Sequence, residues 1–190
     1  MMLEFEWGKL PAYSDFVSGD IDTVAMQMKG RKFNEDLLLG VTSRCLQGKP
    51  RVILCKSLLN GIPFPTNFWL SCPALVKMAG QLESFGGVKK FESYLRVYSK
   101  TEWEAYSKLH AKIRICFAKN DELCNLRKNN FPLYKNFYSD NIGIGGIKIN
   151  KGVQVKCLHL QIASFLSLGF HPGQEWLKER IPEFYLISNE

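Results

Sequence analysis

Four of the chain's eight prolines, Pro50, Pro63, Pro65 and Pro73, fall within residues 50–73 and forbid a continuous helix there. Proline lacks a backbone donor and holds φ near one value, so each marks a strand end, a turn or the start of a helix. The runs between them are short and β-prone. Residues 37–45 and 51–57 flank Gln47-Gly48-Lys49-Pro50 and predict a hairpin, and residues 66–71 predict a third strand. Gly61-Ile62-Pro63-Phe64-Pro65-Thr66 reads as a rigid loop entering that strand. Pro73 suits the first turn of a helix, which is expected to run to about Phe85 and stop at Gly86-Gly87.

The remainder reads as helical. Asp20 or Asp22 is placed to cap a helix through Met28 that Gly30 ends. Leu95, Tyr98, Glu102, Tyr106, Leu109, Ile113 and Phe117 recur at three- and four-residue steps, predicting one long or two successive helices with a core-facing stripe. His110 is assigned to the polar face. Residues 120–140 read as a short helix and an irregular aromatic stretch, residues 153–168 as an apolar helix stopped by Gly169, and residues 174–180 as a last amphipathic helix. The expectation is an α+β fold, a small antiparallel sheet of about three strands packed against several helices. Residues 1–19 are expected to form an N-terminal arm, aromatic and acidic, and residues 20–190 a single α+β domain.

Charge is uneven along the chain. Residues 1–22 carry five acids against Lys9, a net −4 against +7 overall, so the rest carries +11. A basic body suits an anionic ligand or an acidic partner, with nucleic acid among the options. No run approaches the roughly 18 apolar residues of a membrane span, so no membrane partner is expected. Glu4 and Glu6 stand where a signal peptide would carry base, and a cytoplasmic protein is expected. Six cysteines in such a chain point away from a disulfide framework. Cys55, Cys116 and Cys124, among apolar neighbours, are assigned to core packing.

Three constellations could carry chemistry. Cys45, Cys72, Cys157 and His159 offer three thiolates and an imidazole, a donor set that matches Zn2+ or, second to it, an iron–sulfur cluster. Each of the three cysteines falls at a predicted element boundary, although none of the spacings is that of a familiar ligand pair. Cys157 beside Lys156 at a helix start, with His159 two residues on, is also a candidate nucleophile and base. That pairing requires an extended chain at Cys157, because positions i and i+2 diverge on a helix. Gly145, Gly146 and Lys156, with Arg44 from the hairpin, could cradle a phosphate. His171 is a spare ligand that reads first as part of a turn. No carboxylate pair, G-x-S-x-G or H-E-x-x-H is present, so whether the protein is an enzyme stays open.

Several segments recur together in a known order: Arg44-Cys45-x-x-Gly48-x-Pro50, Gly61-x-Pro63-Phe64-Pro65-Thr66-x-Phe68-Trp69-Leu70-x-Cys72-Pro73, Leu82-Glu83, Gly145-Gly146 and Val155-Lys156-Cys157-Leu158-His159. In these the chain resembles the uncharacterised bacterial family domain of unknown function 501, over about residues 20–175. The resemblance implies a bacterial cytoplasmic protein and brings no established activity. It sets Cys45, Cys72, Cys157 and His159 inside motif blocks and leaves Cys55, Cys116 and Cys124 outside. Gln161 stands where the resemblance would favour a histidine. The sequence reading is therefore a small metal-binding protein. Beside it stand a phosphate- or nucleotide-handling enzyme and a non-catalytic basic binding module.

Overall fold

The computed structural model describes residues 11–31, 34–64 and 66–186. Its centre is a three-stranded antiparallel sheet, β1 (Leu38–Arg44), β2 (Pro50–Cys55) and β5 (Phe68–Leu70), in the order β1-β2-β5. The predicted hairpin forms, with Leu38 opposite Cys55 and Arg44 opposite Pro50, and Val52 pairs with Leu70 of β5. A two-residue ribbon, β3 (Leu58–Leu59) with β4 (Ile62–Pro63), fills the connection to β5.

β2 is buried along its whole length because both sheet faces are covered. Val52, Leu54, Phe68 and Leu70 face the main core, which α2 (Pro73–Ser84), α3 (Gly87–Tyr98), α4 (Lys100–Cys116) and α7 (Leu158–Leu168) complete. Ile53 and Cys55 turn the other way, onto Val24 of α1 (Asp20–Gln27) and Met28 just after it. The period-2 alternation of a strand thus divides one run of residues between two cores.

The remaining helices are α5 (Asn120–Asn129), α6 (Phe131–Tyr138) and α8 (Gln174–Lys178). α5 and α6 bury Leu123, Leu126 and Phe137 around Leu58 of the ribbon. Arg114 of α4 anchors the end of this pair. Its buried guanidinium donates to the carbonyls of Phe137 (3.0 Å), Ser139 (2.9 Å) and Ile142 (2.6 Å).

Several sequence expectations need correction. The cap of α1 is Gly19, in the left-handed region, with no side-chain bond; Asp20 instead receives Val17 N–H and the Arg44 guanidinium. Residues 89–119 form the second of the two expected arrangements, two successive helices parted at Ser99, but Tyr98 and Glu102 of the stripe are exposed rather than core-facing. His110 is buried rather than on a polar face. Residues 120–140 form two helices, and the helix expected from residue 153 begins only at Leu158. Cys55 packs in a core as expected, whereas Cys116 and Cys124 are exposed. Of the N-terminal arm, residues 1–10 lie outside the described residues. Beyond them Ser14 bridges to Val41 at the edge of β1.

Candidate functional site

A cluster forms where the C-terminal end of α2 meets the N-terminal end of α7. Val76 and Glu83 lie seven residues apart on α2, two turns along one face. His159, in the first turn of α7, reaches both. Its Nδ1 lies 3.0 Å from Glu83 Oε1, and its Nε2 lies 3.2 Å from the Val76 carbonyl oxygen. Glu83 Oε1 also accepts the Leu158 N–H at 2.5 Å, satisfying a donor that the first turn of any helix leaves free.

Cys157 completes the cluster. It precedes α7 in extended conformation (φ −160°, ψ 156°), the condition under which its side chain and that of His159 can meet. One ligand atom each of Glu83, Cys157 and His159 lies within 4.8 Å of the other two. Among the described residues no other group of three or more His, Cys, Asp or Glu ligand atoms comes so close.

The electrostatics of Cys157 do not favour the thiolate that a nucleophile at this position would need. Burial pushes the thiol up, and the Glu83 carboxylate adds to that. The N–H groups of Leu160 and His159 and the charge of Lys156 act the other way and are outweighed. The sulfur faces those N–H groups without meeting hydrogen-bond geometry. With Nε2 of His159 engaged by the Val76 carbonyl, the ring is also poorly placed to draw the thiol proton through that nitrogen.

The four residues grouped from the sequence separate into two places. Cys157 and His159 come together, but with Glu83 rather than with Cys45 and Cys72. The latter lie at the ends of strands on either side of β2. They line a cleft of about 250 Å³ with Gln27, Lys49, Arg51 and Tyr185. Arg51 is buried there between them. Desolvation lowers its pKa, while the nearby Cys45 and Cys72 act in the opposite direction. Among the described residues, Cys45 and Cys72 are not in the group whose ligand atoms come within 4.8 Å of one another at Cys157.

The anion-binding grouping separates as well. Gly145 and Gly146 both have positive φ, and Lys156 donates to the Gly145 carbonyl at 3.4 Å. The shallow depression they line also holds the Glu92 carboxylate, which is unfavourable to a phosphate. Arg44 is bound elsewhere, in a two-pronged pair with Asp20 at 2.6 and 2.9 Å. That pair raises Arg44 and lowers Asp20 through the hydrogen bonds between them. His171 is not a ligand either. Its Nδ1 accepts Gly173 N–H, so its Nε2 carries the proton and donates to Gln161 Oε1 at 2.9 Å.

Glu83 escaped the sequence reading as a ligand, although it sits in the Leu82-Glu83 block. A carboxylate near a helix end reads as solvated surface until its partner helix is known. The chain thus has a layered α+β fold with a Cys/His/Glu set brought together at a helix junction. The family model described as "Protein of unknown function (DUF501)" matches residues 41–179, and the chain belongs to that family. No curated protein and no solved structure gives a match. No helix of the described residues is long and apolar enough to cross a membrane.

Proposed function

We propose that the protein binds a transition metal, zinc by its donor set, through Cys157 Sγ, His159 Nδ1 and a Glu83 carboxylate oxygen. The observation that carries this reading is the convergence of these three chemically different ligand atoms within 4.8 Å. Sulfur, imidazole nitrogen and carboxylate oxygen are the ligands zinc takes in proteins. His159 supports it further, because a metal-bound histidine characteristically donates its other ring N–H to a carbonyl, and Val76 supplies one.

Three protein ligands rather than four leave one tetrahedral position for water or an exogenous group. That differs from the four-ligand set of three cysteines and a histidine that the sequence suggested. The test is elemental analysis of protein made without a histidine tag, followed by zinc competition against a chromophoric chelator. Wild type is expected to hold about one zinc per chain, and Cys157→Ser and His159→Ala to fall at least about tenfold in affinity. Wild-type protein that neither carries zinc nor competes for it would sink the reading. So would equal loading of all three proteins.

A further inference from the structure

The α5–α6 pair carries an exposed stripe that neither core nor the α2–α7 cluster uses. Phe131, Tyr134, Lys135 and Tyr138 stand at i, i+3, i+4 and i+7 and so share a face of α6. Phe137 turns into the cluster with Leu123 and Leu126, and Tyr134 packs half-buried against that cluster, which leaves Phe131, Lys135 and Tyr138 as the exposed part of the stripe. Phe131 is 48% and Tyr138 39% exposed, values that leave ring surface open to a ligand.

The rings form a file flanked by cations. Phe131 and Tyr134 lie within 17° of parallel with centroids 6.1 Å apart, and Tyr138 follows at 4.7 Å from Tyr134. Lys135 Nζ sits 5.3 Å from the Phe131 centroid, and Arg127 of α5 places its guanidinium carbon 5.8 Å from that of Tyr134. Residues 123–139 contain Arg127, Lys128 and Lys135 and no acid; Asp121, Glu122 and Asp140 lie beyond either end. An apolar patch alone would suit many partners. Rings alternating with cations suit a polymer of flat π systems joined by negative charges.

We infer that this face of α6, with Arg127 and Lys128 of α5, binds single-stranded nucleic acid. Bases stack on Phe131 and Tyr138, while Lys135, Arg127 and Lys128 lie against the phosphates. A duplex hides its base faces in its own stack, so the single strand is the preferred form. The net charge of +7 adds a general attraction that the stripe makes local.

The test is fluorescence anisotropy of the full chain with labelled single-stranded oligonucleotides and their duplexes, in chelator so that zinc plays no part. Single strands are expected to bind more tightly than duplexes. Phe131→Ala and Tyr138→Ala are each expected to weaken binding about tenfold. Lys135→Ala, at an exposed position, is expected to lower the slope of log K against log salt by about 0.7. Phe85→Ala, an exposed aromatic of α2's C-terminal end, should change nothing. Absent binding, duplex binding as tight as single-strand binding, or insensitivity to the α6 variants would overturn the proposal. Self-association abolished by Phe131→Ala, without oligonucleotide binding, would overturn it in favour of a dimer face.

Discussion

Gly40 shows how one missing side chain can admit a whole segment. The chain before α1 crosses β1 there, and Ser14 exchanges both backbone hydrogen bonds with Val41 at 2.9 Å. A Cβ on Gly40 would stand 2.6 Å from both the Ser14 carbonyl oxygen and the Tyr13 ring. Gly40→Ala must therefore push the segment off the edge of β1, at an expected cost of about 1–3 kcal/mol. Urea denaturation measures that cost, and amide exchange at Ser14 and Val41 should quicken more than at β1–β2 pairs. Nothing in the sequence distinguishes Gly40 from any glycine in a strand, because its constraint comes from a residue 26 positions earlier. The cysteines make the same point. Cys157 and His159 were legible as partners because they are neighbours in the chain. Glu83 was not, since its relation to them exists only after two helices dock.

Hydrophobic periodicity and proline placement identified the sheet and most helices, since both act within a few residues. They failed where a tertiary contact sets the boundary. Val153 and Val155 are buried like the residues of the helix that follows, yet Val155 N–H goes to Glu92 Oε2 at 3.1 Å, and the helix begins only once Glu83 meets Leu158 N–H. Arg114 is the counterpart for α6. Its guanidinium organises three carbonyls that a lysine's compact ammonium could not reach together. Arg114→Lys is expected to cost at least about 2 kcal/mol, through buried carbonyls left without donors. Thermal denaturation would show the loss, and proteolysis would show faster cleavage at residues 139–142.

Where the helices close over the sheet, a polar seam runs through the main core. Ser164 of α7 bonds Tyr106 Oη and, at 2.7 Å, His110 Nε2; Gln161 bonds His171; Ser167 meets Thr42 of β1 at 2.6 Å. Burial pushes both histidines down to about 3, with the Arg114 charge adding to the effect at His110 and that of His110 at His171. Unfolded histidines titrate near 6.5. Between these values the unfolded chain holds the extra protons, so stability is full above about pH 6.5 and falls as the pH drops toward 3. Each histidine contributes a slope of up to about 1.4 kcal/mol per pH unit. Urea titrations at pH 7, 6 and 5 should show the decline, and His110→Gln, where it folds, should remove about half of it. A flat profile would contradict the neutral, buried state of both rings.

The contact between Glu83 and Leu158 joins positions 75 apart in sequence. Everything from α3 to α6 is therefore an excursion that leaves from one point and returns to it, like a loop of rope drawn through a clasp. Fastening such a span removes freedom that grows only slowly with its length. An ion held by Glu83, Cys157 and His159 would tighten that same clasp. The α5–α6 pair, far out along the loop, can then vary in length or sequence while the junction beneath it keeps its geometry.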